Sequence, residues 1–326
     1  MAEREAPRVP VQPIVWRAVH GVLLIDKPSG ITSTAALARA RRGLCAQKGG
    51  HTGTLDPMAT GLLPLCFGEA TKFASDLLDA DKSYEATIQL GVVTTTGDSE
   101  GEVLEAREVE VSRAAIDAAL ALFRGPIEQV PPMHSALKRD GKPLYDYARR
   151  GITVERAARE VAIHRLDLVA FEGTRLSIEV DCSKGTYIRT LAEDIGDALG
   201  CGGHLVALRR VRSGPLHVTD AITLEAFEAL APIDRNALLS PVDSLILNLP
   251  AIELDAAQAQ RFVEGQRLAW PDVSYQGRAR VYRAAGQGTG EPAVLLGTGL
   301  VGFDDRLAPV RLIAHAPAQS APQSSS

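Results

Sequence analysis

The 326 residues carry 35 lysines and arginines against 40 aspartates and glutamates, a net charge of −5, and 45% of them are hydrophobic. That is enough chain for one large or two ordinary domains with a sizeable core, and no apolar run approaches the roughly 18 residues of a membrane span. Glu3, Arg4, Glu5 and three prolines within the first fifteen residues do not read as a signal peptide, and four dispersed cysteines (Cys45, Cys66, Cys182, Cys201) argue against a zinc ribbon or disulfide scaffold and for a reducing, cytoplasmic setting.

The charge is unevenly spread. Residues 17–50 hold Arg17, Lys27, Arg39, Arg41, Arg42 and Lys48 against Asp26 alone. A basic face on an acidic chain suits a polyanion gripped on one side; a solvated helix face is the plainer alternative.

In chain order, residues 1–17 read as a proline-rich disordered arm. Gly21 to Ile25 is a buried-strand candidate. Ser33 or Thr34 caps a helix with Ala36, Leu37, Ala40 and Leu44 inside and Arg39 and Arg42 sharing a face. Tyr84, Ala86, Ile88 and Leu90 alternate with Glu85, Thr87 and Gln89, the period of a half-buried strand. Ser112 to Phe123 forms a helix closed by Gly125. The segment of about 131–151 is long and basic (Lys138, Arg139, Lys142, Arg149, Arg150), and ordered loops of that length are usually functional.

Leu176, Ile178, Val180 and Cys182 form a second alternating strand. After the Lys184-Gly185 turn comes a helix with Ile188, Leu191, Ile195 and Leu199 on one stripe and Gly200 past its end. Pro232, Pro241 and Pro250 punctuate a linker-like stretch. Asp255 caps a short helix, with Gln258 three residues on and Gly265 beyond its end. Short strands follow over 278–282, 294–296 and 310–313. Arg278, Arg280 and Tyr282 share one strand face, basic and aromatic together, either a contact surface or a solvent-exposed edge. Residues 315–326 are a polar, disordered tail. The interleaving predicts an α+β fold with a mixed or antiparallel sheet.

The densest chemistry lies in His51-Thr-Gly-Thr-Leu-Asp56-Pro-Met-Ala-Thr-Gly61. Asp-Pro initiates a turn, and Gly53 and Gly61 fence it. The apolar run Leu62 to Phe67 follows at once. A carboxylate fixed beside an apolar wall is how proteins prepare an acid, base or nucleophile. The same spacing also fits a turn in which Asp56 only caps its own backbone.

Five segments carry a resemblance: Gly21-Val-Leu-Leu-Ile-Asp-Lys-Pro-Ser-Gly30, His51 to Gly61, Gly68-Glu-Ala-Thr-Lys-Phe73, Ser183-Lys-Gly-Thr-Tyr-Ile-Arg-Thr190 and Gly203-His-Leu-Val-Ala-Leu-Arg-Arg210. Together they resemble the bacterial tRNA pseudouridine-55 synthase (TruB) family, from about residue 20 to 250 and more weakly to about 313. The resemblance implies a pseudouridine-synthase fold, with a mixed, mainly antiparallel sheet flanked by helices and loops. It implies a catalytic domain over 18–248, in which about 131–151 is an inserted loop closing over RNA, and a small β-rich PUA-like RNA-binding domain over 250–314. His134 stands where the family often has tyrosine.

The implied reaction turns the uridine at position 55 in the T-loop of tRNA into pseudouridine. The C1′–N1 bond breaks, the uracil turns, and C1′ joins C5. Nothing is oxidised, and the sequence holds neither a metal-ligand cluster nor a Gly-rich nucleotide fingerprint, so no metal or cofactor is expected. Asp56 is the expected carboxylate at the ribose. Arg189 is its expected counter-charge, pairing through a planar fork, though a surface ion pair is the plainer role for such an arginine. Tyr84, a core aromatic by pattern, is placed by the resemblance against the uracil with its hydroxyl free for proton transfer. Tyr187 and Leu208 are the remaining walls of the base pocket. His51 stacks into the RNA loop where the uridine has left, and Lys27 holds phosphate or caps a turn. The expected partner is the tRNA T-arm, met by a monomer without a protein partner. Two other readings stay open: a catalytic subunit of a guide-RNA particle, which shares the Asp motif, and a mainly non-catalytic tRNA-folding chaperone.

Overall fold

The computed structural model describes residues 14–271, 275–286 and 292–314. The expectations for most of the N-terminal arm and for the 315–326 tail therefore lie outside the described residues. Residues 14–17 are not loose: Arg17 bridges to Ala46, and its Nε donates to the Leu44 carbonyl at 3.2 Å.

β1 (Gly21–Lys27) is buried along nearly its whole length and pairs antiparallel with β3 (Thr60–Phe67), which carries the apolar run after Asp56. Between them lie α1 (Ser33–Leu44) and the short β2 (Gly49–His51). The α1 cap is Thr32, whose hydroxyl accepts from the Ala35 amide. Of the two expected caps, Thr34 lies two residues past the cap and Ser33 one. The Ser33 hydroxyl instead donates to the Leu55 carbonyl and accepts the Leu55 amide, tying α1 to the Asp56 loop. After a 3-10 turn come α2 (Ala74–Leu78), β4 (Lys82–Leu90), the small pair β5 (Val92–Thr94) and β6 (Val103–Ala106), α3 (Arg113–Leu122) and β7 (Gly125–Gln129).

The basic insert is ordered. It holds a two-stranded hairpin, β8 (Lys138–Arg139) and β9 (Lys142–Pro143), then α4 (Leu144–Ala148), anchored by the buried Leu144. β10 (Arg159–Glu172), β11 (Arg175–Cys182), α5 (Ile188–Ala198) and β12 (Gly203–Ser213) follow. β13 (Leu216–His217), β14 (Ile222–Thr223), α6 (Leu224–Ala229) and α7 (Pro232–Ala237) complete the first unit.

The main sheet runs β14-β1-β3-β12-β4-β11-β10-β7, with β2 and β13 paired at its side. It is mixed: β1–β14 and β3–β12 are parallel and the other pairs antiparallel. Two cores form on it. One joins β4, β10, β11 and β12 to α3 and α5; the other joins β1 and β3 to α1 and α6. Tyr84 and Leu208 pack against both, so the seam between the cores lies at the middle of the sheet.

The stretch from Pro232 to Pro250 is not a linker. Arg235 of α7 donates to the Gly43 carbonyl of α1, Ser240 pairs with Val22, and Leu245 and Ile246 are buried beside Cys66 and Phe73. Proline there starts α7 and shapes turns on a packed surface instead of spacing two domains.

A second sheet, β15-β17-β18-β19-β16, is built from β15 (Ala251–Leu254), β16 (Leu268–Ala269), β17 (Gly277–Arg283), β18 (Val294–Val301) and β19 (Arg306–Leu312). It packs around α8 (Ala256–Val263), which carries the expected Asp255–Gln258 capping box. β17 is an internal strand, so the solvent-edge alternative for Arg278, Arg280 and Tyr282 falls. These side chains make their contacts with the first unit. Arg278 pairs with Asp76, the Tyr282 hydroxyl donates to Asp243, and Arg280 donates to the Leu249 carbonyl at 2.9 Å. That face docks the second unit onto the first.

Candidate active site

The Asp56 loop is stapled from several sides. Gly30 donates its amide to the Pro57 carbonyl at 2.8 Å, Ser29 Oγ donates to the Met58 carbonyl at 3.1 Å, and Leu55 is held by Ser33. At its end, Gly61 has φ +98°, and a Cβ there would lie 2.3 Å from the Arg210 carbonyl. Only glycine permits so close a parallel approach of β3 to β12.

Lys27 contributes to this stapling, in the arrangement of its turn-capping alternative. It is fully buried, and its ammonium donates to the carbonyls of Pro28, Ile31 and Pro57 at 2.9, 2.7 and 3.2 Å. All three protons are used. Burial pulls its pKa down to about 8.

α5 delivers Arg189. The stripe Ile188, Leu191, Ala192, Ile195 is buried, which turns Arg189 inward with only 5% of its surface exposed. Its Nε lies 3.0 Å from Asp56 Oδ2, so sequence-distant β-loop and helix do bring the two together. The expected two-pronged fork to Asp56 is not what forms. The guanidinium is shared: Nη1 lies 3.5 Å from Asp98 Oδ2 and donates to the Thr96 carbonyl at 3.2 Å, and Nη2 donates to the His134 carbonyl at 2.6 Å.

Asp98 was missed by sequence reasoning. It sits in a loop after β5, buried, with its carboxylate accepting from the Thr96 hydroxyl and the Glu100 amide. The cue was Thr94-Thr-Thr-Gly-Asp98, a tight turn rich in hydrogen-bonding side chains. His134 enters through its backbone, so that contact with Arg189 does not depend on which side chain stands there.

Burial pushes the Asp56 pKa up. Arg189 pulls it down, Asp98 pushes it up again, and the balance lies above the usual carboxylate range. The Asp56 side chain is about a third exposed (35%), against 6% for that of Arg189. It therefore lies at the mouth of the site, not sealed from water.

The pocket behind it has a volume of about 250 Å³. Asp56, Tyr84, Tyr187, Arg189 and Leu208 all line it. Burial raises the phenol pKa of both tyrosines. Tyr187 is clamped through its backbone by Gln129, which donates to its carbonyl at 3.2 Å and accepts its amide at 3.0 Å. Lys82, Ser135 and Arg210 also line the pocket and were not anticipated. Lys82 caps the end of α2 through the carbonyls of Leu77, Leu78 and Ala80.

His51 is not among the pocket-lining residues; it ends β2, with its pKa lowered by burial and by Arg210. A second cavity of about 530 Å³, bounded by Thr34, Glu100, Tyr145 and Arg149, shares Asp56 and Arg189 with the first. Among the described residues, no group of three His, Cys, Asp or Glu side chains could hold a metal ion.

Four of the six early cations are committed internally. Arg17 binds Asn236, Lys27 is buried, Arg39 makes a two-pronged pair with Glu228, and Arg41 stacks on Trp16. Arg42 and Lys48 stay exposed. The α1 face is thus less available than the sequence implied, while the five insert cations are exposed and, among the described residues, none pairs with a carboxylate.

Comparison with known proteins places this geometry. Residues 41–188 match the N-terminal domain model of TruB family pseudouridylate synthase, 189–249 the tRNA pseudouridylate synthase B C-terminal domain, and 250–313 the pseudouridine synthase II TruB C-terminal model. The tRNA pseudouridine synthase B of Ralstonia pickettii (strain 12J) is 61% identical over 272 residues, covering 82% of this chain and 85% of that protein. That of Cupriavidus pinatubonensis (strain JMP 134 / LMG 1197) is 54% identical over 321 residues, covering 96% and 98%. Among solved structures, a chain of a Cbf5-Nop10-Gar1 complex superposes with a TM-score of 0.67 at 24% identity, covering 91% of this chain and 84% of that one, a likeness of fold. Matched in sequence by three consecutive models and more than half identical to these synthases over most of its length, the chain belongs to the TruB family of pseudouridylate synthases.

Proposed function

We propose that this chain isomerises uridine 55 in the T-loop of tRNA to pseudouridine, with Asp56 acting on the ribose of a base flipped into the 250 Å³ pocket. The observation that carries the reading is the Asp56–Arg189 contact of 3.0 Å at the mouth of a pocket walled by Tyr84, Tyr187 and Leu208. A guanidinium keeps a carboxylate ionised near a developing sugar charge, and aromatic and aliphatic walls accept an unstacked base. High identity to synthases named for tRNA supports the substrate.

Flipping the base costs roughly a few kcal/mol. The exposed cations of the insert, with Arg42 and Lys48, offset this by holding the RNA backbone. His51 sits outside the pocket, at the end of β2, where it could fill the gap left in the RNA stack. No helix among the described residues is long and apolar enough to cross a membrane. We read the protein as cytoplasmic, acting as a monomer without cofactor or protein partner.

The test is purified protein with a bare T-arm stem-loop. Pseudouridine forms with nothing else added. Product only after addition of a guide RNA or further proteins would favour the particle-subunit reading.

A further inference from the structure

Arg210 is 2% exposed, one of the largest fully buried side chains, and no carboxylate pairs with it among the described residues. Lys27 from β1, His51 from β2 and Lys82 from β4 each feel its charge. A buried, uncompensated cation among like charges is costly, and an apolar residue of the same volume would avoid that cost.

Its contacts show where the charge is aimed. Arg210 and Tyr84 are cross-strand partners in the β12–β4 ladder. Nε donates to the Leu62 carbonyl at 2.8 Å and Nη2 to the Gly53 carbonyl at 3.3 Å. The guanidinium and the Tyr84 phenol line the same pocket. One planar group thus joins the Asp56 loop to β3 beside the phenol that lines the pocket.

We propose that Arg210 is a positioning residue that holds the Tyr84 hydroxyl against the base and stabilises the phenolate formed when that hydroxyl relays a proton during isomerisation. This rests on reading the pocket as a uracil site. Once C1′ is joined to C5, the ring holds an N1=C6 double bond and one hydrogen too many on C5. Tyr84 gives its hydroxyl proton to N1 and becomes a phenolate. The phenolate then takes the proton from C5. The C5–H electron pair forms the C5=C6 bond, and the N1=C6 π pair settles on N1. The phenol is regenerated and nothing else is consumed.

Burial raises the Tyr84 pKa, and the Arg210 charge opposes that rise. Cys182 from β11 and Asp56 from its loop push the other way. Arg210 is the cation paired across the strands from Tyr84, and Lys82 and Arg189 line the same pocket.

The experiment pairs titration with kinetics. Protein labelled with 13Cζ-tyrosine is titrated without RNA, and Tyr84 is assigned by the signal lost in Tyr84→Phe. In Arg210→Met the Tyr84 signal should titrate at least roughly one pH unit higher, and single-turnover conversion of the T-arm stem-loop should slow about 100-fold, the scale of losing one preorganised donor. In the Tyr84→Phe background the same change should add little, because the two groups act as one unit. If Arg210→Met does not fold, Arg210→Lys, which keeps the charge but loses the fork, should show a smaller upward shift. An unmoved Tyr84 titration, or rate losses that simply add, would overturn the proposal. Failure of the wild type to convert uridine would instead overturn the synthase reading, and the titration would still report on Arg210.

Discussion

Asp56 sits between opposing influences. Burial raises its pKa, Arg189 lowers it, and Asp98 competes for the same guanidinium. The proposed chemistry needs the ionised form, so on that reading activity should fall as pH drops through the raised pKa. The acid limb of kcat/KM should therefore lie above the usual carboxylate range. Removing the counter-charge in Arg189→Gln should move that limb to still higher pH; a limb that stays put would show that Arg189 does not hold Asp56 ionised. Arg189→Lys should lose on the order of 100-fold in kcat, because an ammonium cannot reach Asp56, Asp98, Thr96 and His134 at once. Steady-state kinetics at saturating tRNA measures this, and wild-type turnover would contradict it. The Asp56 motif was legible in the sequence because turn chemistry and an apolar run are both local. Asp98 and Arg210 were not, since their roles arise only where the loop after β5 meets α5 and where β12 pairs with β4.

Elements set these positions through ordinary packing. β4, β11 and α5 could be read from their period of apolar residues, and the structure puts those residues in one core. α5 is the element whose buried stripe aims Arg189 at Asp56. Leu191 is fully buried in that stripe. Leu191→Ala should destabilise the protein by about 2–5 kcal/mol, and chemical denaturation measures that loss. The helix caps were legible to within a residue or two, and Thr32 replaced Ser33 because the Ser33 hydroxyl is used by Leu55. The stretch from Pro232 to Pro250 misled because proline marks both linkers and helix starts. Burial of Leu245 and Ile246 decides between them, and no local pattern announces it.

Across the whole molecule, charge is divided between docking and display. Arg278 and Arg280 fasten the second sheet to the first unit, joined by Lys72, which donates to the Leu312 carbonyl at 2.8 Å. The insert displays Lys138, Arg139, Lys142, Arg149 and Arg150 to solvent. Alanine at Lys138 or Arg149 should weaken tRNA binding and flatten the dependence of log affinity on log salt by about 0.7–0.9 per cation removed. Arg278→Ala should leave that slope unchanged and lower the thermal midpoint. Equal slopes for all three variants would place the RNA elsewhere. Composition alone could not separate these groups: both are arginine-rich, and only the docking face meets Asp76 and Asp243.

The most direct measurement is tritium release from tRNA labelled at C5 of uridine, by wild type and by Asp56→Asn, with tRNA affinity measured alongside. The wild type releases label stoichiometrically from the target uridine. The variant releases none, yet binds tRNA within about tenfold, near 1.4 kcal/mol, of the wild type. Release by Asp56→Asn at an undiminished rate, or binding lost in step with release, would contradict a catalytic carboxylate at this position.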